Sequence, residues 1–206
     1  MKEEKTNMIK KGIIGYGGFG REVFHSLTKK EQEDIIFFVH DEWWKPGNDK
    51  VIPLSKFNPN EYEVVVAIGD PSDKKKVVES LPKETRFFTH IHNSATILDD
   101  SIEIGEGTII CAGVILTTNI KVGKHVHLNL LTTIGHDTVI GDFTTTAPGS
   151  KISGNCNIGE CVYLGTNSSV KQKINICDNT IVGLNAGIVR NIDEPGVYVG
   201  VPAKKK

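Results

Sequence analysis

The chain has 206 residues and sets 24 lysines and arginines against 25 aspartates and glutamates, a formal net charge of −1. So even a balance gives no general attraction to nucleic acid or to an anionic membrane, and recognition has to come from a local site. The four cysteines (Cys111, Cys156, Cys161, Cys177) lack CxxC or zinc-ribbon spacing. They read as small buried residues in a reducing cytoplasm rather than as a disulfide frame.

The opening "MKEEKTNMIK" is charged and has no apolar h-region, so it does not read as a signal peptide. No apolar run approaches the ~20 residues of a membrane span, and a soluble, cytoplasmic protein is expected. Strand and helix patterns then alternate up to about residue 90. Residues 13–15 predict a strand that runs into Gly15-x-Gly17-x-x-Gly20, and 21–30 a helix. Residues 35–41 and 62–70 predict two further strands, 71–81 a helix with its lysines 74–76 on a solvated face, and 85–91 a last short strand. Such alternation argues for a small parallel α/β sheet.

Glycines at a strand-to-helix turn let backbone N–H groups approach an anion at the helix N-terminus. Gly17, Gly18 and Phe19 are candidates for that role, with Gly69 at the end of the third strand. Asp41 lies twenty-one residues after Gly20 and ends the second strand, placed either to accept from a ribose or base or simply to close a turn. Trp43 and Trp44 beside it can stack a base or pack a loop. The same fingerprint suits NAD, but hydride transfer needs a fuller dinucleotide fold and a catalytic domain, and this α/β pattern stops near residue 90.

The second half of the chain is a repeat. Stepping by six from Leu98 through Ile104, Ile110 and onward to Ile188, fifteen of sixteen positions are aliphatic, the exception being Thr146. Four places after each aliphatic the residue is small or β-branched, as at Thr108, Thr132, Thr144, Ser150 and Cys156. A period of six fits neither a helix nor a plain amphipathic strand. It fits a parallel β-helix in which three units close a coil of eighteen residues, giving roughly five coils.

The units "GYGGFGRE", "TTIGHDTVIGDFTTTAPGSKISGNCNIGECVYLGTNSSV" and "DEPGVYVGVPAKK" together resemble the left-handed β-helix sugar acetyltransferases. The nearest group is that of sialic acid O-acetyltransferases and of N-acetyltransferases acting on nucleotide sugars in UDP-N-acetylbacillosamine and perosamine pathways. The resemblance implies a Rossmann-like domain (1–92) for the acceptor's nucleotide, a left-handed β-helix domain with a C-terminal tail (93–206), and a homotrimer. It also implies that acetyl-CoA binds between neighbouring β-helices. No metal and no permanently bound cofactor are expected, nor a nucleic-acid or membrane partner.

An amine attacks a thioester only as the free base, so a general base near neutral pH is wanted, and histidine suits it. His136, two places after Ile134, falls at a turn; the resemblance makes it the base, with Asp137 in support. Neighbours in an extended strand point to opposite faces, so the contact between those two is not guaranteed. Gly154, one coil of eighteen beyond His136, leaves room beside the base and offers an N–H to the thioester carbonyl. The resemblance extends the acetyl-CoA site to Thr166, Gly183 and Leu184, and gives Asn129 a substrate contact, although an asparagine there can equally cap a turn. Thr145 is a further substrate-binding candidate, and both it and Phe19 stand where relatives carry histidines. The lysines at 204–206 either reach the CoA phosphates or form a frayed end. The expected activity is acetyl-CoA-dependent N-acetylation of a nucleotide-linked amino sugar, first a UDP-4-amino-4,6-dideoxyhexose, for a surface glycan. Sialic acid O-acetylation is the alternative. More distant rivals are zinc held by His125, His127 and His136, as in γ-class carbonic anhydrases, and a non-catalytic nucleotide-sugar sensor.

Overall fold

The computed structural model describes residues 9–206. The first eight residues, and with them most of the charged opening segment, lie outside the described residues. Five strands make one parallel sheet: β1 (Lys10–Ile14), β2 (Ile36–Val39), β3 (Val51–Pro53), β4 (Tyr62–Val66) and β5 (Arg86–Phe87). Their order is β3-β2-β1-β4-β5. Ile13, Phe38, Val64 and Val65 are wholly buried, because helices or the β-helix cover both faces and the central strands can be apolar throughout. One face packs Val23 and Leu27 of the first helical segment against Ile13 and Val65, together with Ile109 and Cys111 from the second half of the chain. The other face packs Val77 and Val78 against Ile14 and Val66.

Three elements differ from the sequence reading. The helix expected at 21–30 is two helices, α1 (Gly18–Ser26) and α2 (Lys29–Asp34). Thr28 accepts from the Glu31 N–H while Glu31 accepts from the Thr28 N–H, and this reciprocal cap starts a new helix where a continuous one was expected. The short strand β3 was not anticipated. The strand expected at 85–91 is divided: β5 closes the α/β sheet, and His90–Ile91 already pairs with Ile109–Ile110 in the repeat. The remaining helix, α3 (Pro71–Ser80), starts as a proline at the first helical position dictates, with Asp70 accepting from the Asp73 N–H at 2.9 Å.

From His90 the chain winds as a parallel β-helix of two-residue strands collected into three sheets. Partners are eighteen residues apart, with Leu116 opposite Ile134 and Ile134 opposite Ile152. The aliphatic row from Ile110 to Ile188 is buried as expected. Its beginning is not. Leu116 pairs with Ile97 rather than Leu98, so the step from Ile97 to Ile104 has seven residues, and Leu98 is exposed. The extra residue lies in the turn around Asp99, which caps the Ser101 N–H.

The small residues of the second row turn inward at the corners and satisfy turn backbone. Thr144 Oγ1 donates to Gly159 O at 2.8 Å and accepts from the Val162 N–H at 3.0 Å. Thr146, the polar exception in the aliphatic row, pairs with Thr132 Oγ1 at 2.8 Å and accepts the Asn129 N–H at 3.1 Å, so its hydroxyl is satisfied inside the coil. A third row of period six is conformational. Eleven non-glycine residues from Asn119 to Asn185, Asp137 among them, have φ between 49 and 63°, and Gly107, Gly113 and Gly149 complete the row. Left-handed backbone turns the chain sharply at each corner of the coil. The C-terminal lysines are not a frayed end, since Lys204–Lys205 pairs antiparallel with Gly196–Val199 and Lys205 Nζ lies 3.0 Å from Glu194.

Candidate active site

His136 sits on an exposed corner after the strand Thr133–Ile134. The left-handed φ of 57° at Asp137 breaks the alternation of an extended strand and brings the two side chains to one side. His136 Nδ1 and Asp137 Oδ2 are 2.7 Å apart. A ring nitrogen that faces a carboxylate carries the proton, which leaves Nε2 with its lone pair. Asp137 is held below the usual carboxylate range, first by a hydrogen bond from Asn119 and then by that from His136. Nε2 looks onto Gly154: a Cβ built there would lie 2.6 Å from it. At the equivalent repeat position on another corner of the coil, the N–H groups of Lys124 and Glu160 are taken by the carboxylates of Asp142 and Asp178. The Gly154 N–H has no such acceptor among the described residues.

A second concavity, of about 620 Å³, opens where the sheet order reverses between β1 and β4, the usual ligand crevice of a parallel α/β sheet. Gly17, Gly18, Phe19 and Gly69 all line it. Gly17 is the N-cap of α1, where the first N–H groups of a helix lack intrahelical partners, and no atom lies within 4 Å of a Cβ built at Gly17 or Gly18. The Phe19 ring itself turns toward the β-helix, 5.0 Å from the His127 ring. Trp43 and His40 rim the crevice from the other side, with Lys76 at its edge. Trp44 is a loop-packing residue, its Nε1–H donating to Val51 O at 2.9 Å, whereas the Trp43 ring is 76% exposed over the opening.

Two expected substrate residues are occupied elsewhere. Asp41 is off the crevice: its Oδ1 accepts the Ser55 N–H at 3.0 Å, and hydrogen bonds from Ser55 hold it below its ordinary range. The bond ties Asp41 to the turn that follows β3, fourteen residues further along the chain. Thr145 is buried and accepts from Lys74 Nζ at 2.9 Å. Lys74 is therefore not on a solvated face; it is fully buried, and burial pushes its amine well below the ordinary lysine value. Only Lys76 and Lys75 reach solvent, and Lys75 contacts Glu160 across the seam between sheet and coil. Asn129 Oδ1 accepts from the Leu130 N–H at 2.7 Å, the turn-capping alternative.

The remaining candidates are divided between two corners. His136 and Gly154 follow strands of one sheet; Asn129, Thr166 and Gly183 with Leu184 follow strands of another. One chain does not bring them together. The zinc alternative fares no better. His127 is buried with Nε2 2.9 Å from Val66 O, and His125 stacks on Phe143, while His136 stands at a different, exposed corner. Asn119, which touches Asp137, was missed although it lies one coil of eighteen before it. Counting backwards as well as forwards along the coil finds it.

The family model for the PglD N-terminal domain matches residues 12–81. GDP-perosamine N-acetyltransferase of Escherichia coli O157:H7 is 29% identical over 79% of this chain and 78% of its own length. WeeI from Acinetobacter baumannii AYE is 30% identical and superposes with a TM-score of 0.84 over 96% of this chain and 100% of that one. The chain belongs to the left-handed β-helix sugar N-acetyltransferases. Another structure of this group, PerB from Caulobacter crescentus in complex with CoA and GDP-perosamine, is 26% identical with a TM-score of 0.85, covering 97% of this chain and 98% of that one. Acetyl-CoA is the acetyl donor of these enzymes, as a co-substrate rather than a resident cofactor. No helix among the described residues is long and apolar enough to cross a membrane.

Proposed function

We propose that the chain is a cytoplasmic, homotrimeric acetyltransferase that N-acetylates a nucleotide-linked 4-amino-4,6-dideoxyhexose for a surface glycan. The α/β sheet forms the Rossmann-like nucleotide domain and the β-helix, which begins at His90 rather than at the expected residue 93, the acetyl-transfer domain. The observation that carries the reading is the His136–Asp137 pair with its free Nε2 open over Gly154. As the sugar amine attacks the thioester carbonyl, the C–N bond forms and His136 Nε2 takes the amine's proton. Asp137 steadies the imidazolium, and the Gly154 N–H faces the oxyanion. Collapse breaks the C–S bond, and the proton passes to the departing thiolate.

The diphosphate lies against the N–H groups of Gly17, Gly18 and Phe19, and the exposed Trp43 ring offers the base a stacking face. GDP replaces UDP as the first nucleotide to test, because one of the relatives above is named for GDP-perosamine and another is solved in complex with it. Trimerisation is supported by the division of acetyl-CoA candidates between two corners, which a neighbouring copy reunites. Leu131 and Leu184, both exposed, supply apolar surface for that contact.

The test is thiol release from acetyl-CoA with GDP-, UDP- and dTDP-linked 4-amino-4,6-dideoxy sugars and with sialic acid, for wild type and His136→Ala, alongside sedimentation of both. The expected result is turnover with one amino sugar by a trimer, reduced by roughly 10²–10⁴-fold in the variant. Turnover with sialic acid alone moves the chain to the O-acetylating branch. Undiminished turnover in His136→Ala removes the mechanism, and a monomer that turns over removes the trimer.

A further inference from the structure

Asp137 is held from both sides. Asn119 Nδ2 lies 2.6 Å from Asp137 Oδ1, and His136 Nδ1 lies 2.7 Å from Oδ2. Asn119 and Asp137 are eighteen residues apart and occupy the same left-handed corner of successive coils, with φ of 49 and 57°. The next strands pair Lys121 with Val139, and the Asp137 N–H donates to Thr118 O at 3.1 Å, so backbone register sets the two side chains face to face. Chemistry fixes which end of the Asn119 amide points at the carboxylate: an ionised carboxylate only accepts, so the NH₂ group must face it.

Resting on the reading of His136 as the base, we infer that Asn119 is a positioning residue for acetyl transfer. Its amide pins one oxygen of Asp137 so that the other holds the proton of His136 on Nδ1 and keeps Nε2 free. An exposed carboxylate without that anchor rotates and is shared with water, and the imidazole then samples the wrong tautomer and other ring orientations. The other groups on this corner leave the role to Asn119. Asp99, on the coil before, is engaged by Thr118 and Ser101. Asn155, on the coil after, approaches His136 Nδ1 only to 3.5 Å, at the outer limit of a hydrogen bond, and Lys173 stands one coil further.

Two variants separate positioning from folding. Asn119→Gly removes the amide while keeping a residue that accepts positive φ, and Asn119→Asp keeps the shape but replaces the donor by an acceptor. Each is measured for kcat, KM and thermal unfolding, in the wild-type and the Asp137→Asn backgrounds, with His136→Ala beside them. Expected is a roughly tenfold loss of kcat in both variants with KM unchanged to within about twofold. In the Asp137→Asn background the same changes produce no further loss, because the cycle removes the group through which Asn119 acts. Wild-type kcat in Asn119→Gly, or an equal loss in both backgrounds, overturns the inference. If His136→Ala is inactive while Asn119→Gly is unimpaired, only the role of Asn119 falls. If His136→Ala turns over normally, the base reading falls and takes this inference with it.

Discussion

Gly154 and His136 face each other across one step of the coil, about 4.8 Å, and the absence of one carbon decides what fits between them. A Cβ at Gly154 would stand 2.6 Å from Nε2 and 2.7 Å from Cε1 of the ring. The Gly154→Ala variant should therefore fold, since the glycine's φ is not in the left-handed region, but push the imidazole aside. Misplacement by about 1 Å costs on the order of 10²-fold in rate. The check is kcat against the melting temperature: a rate near wild type with an unchanged melting point would show that the ring has room to move. What sequence reasoning relates here is coil register, which a count of eighteen supplies. Asp41 and Thr145 are engaged by Ser55 and Lys74, which come from segments whose position no local count gives.

At the scale of elements, the glycine-rich turn shows which of its glycines are structural. Gly15 has φ of 108°, and a Cβ at Gly20 would lie 2.0 Å from the backbone oxygen of Gly15, so α1 can cross β1 this closely only with glycine at both places. Backbone cannot yield as a side-chain tip can. Gly20→Ala should cost about 3 kcal/mol of stability through overpacking, read as a lower midpoint in chemical unfolding. A shift too small to resolve would mean that the helix slides along the strand without penalty. Gly17 and Gly18 have open space instead, which assigns them to the crevice rather than to packing. The β-helix was legible element by element because its burial repeats every six residues. Its first turn was misread because a single extra residue near Asp99 resets the register while leaving Leu98 in an apolar-looking row.

On the scale of the whole molecule, the α/β sheet and the coil meet at a seam that holds Lys74, His125 and His127. Burial, followed by the Lys74 charge, pushes His125 down to about 4 and His127 well below its ordinary value. Both stay neutral in the folded chain where the unfolded chain takes up protons. As the pH falls below about 6.5, the unfolded state binds protons that the folded state refuses, so stability is lost from there downward. For His125 the loss levels off near pH 4. The other charged groups around it, Glu106, Asp142 and Lys124, contribute less than burial and Lys74. His125→Phe keeps an aromatic ring against Phe87 and Phe143 and removes the titration. Its melting temperature should fall less steeply between pH 6.5 and 4 than that of the wild type. Parallel curves would place the acid sensitivity elsewhere.

By itself the sequence determined the division into an α/β half and a period-six coil, the buried rows, the glycine turn, and His136 one coil from Gly154. All of these follow from periodicity and short-range sterics, which act along the chain. Only the tertiary structure decided that Asp137 reaches His136, because a left-handed φ at the corner cancels strand alternation. It also decided that Asn119 holds Asp137, that Lys74 is buried on Thr145, and that the acetyl-CoA candidates occupy two corners. Those outcomes depend on which segments face one another once the coil has closed and the sheet has docked on it, and no pattern of neighbours along the chain encodes that.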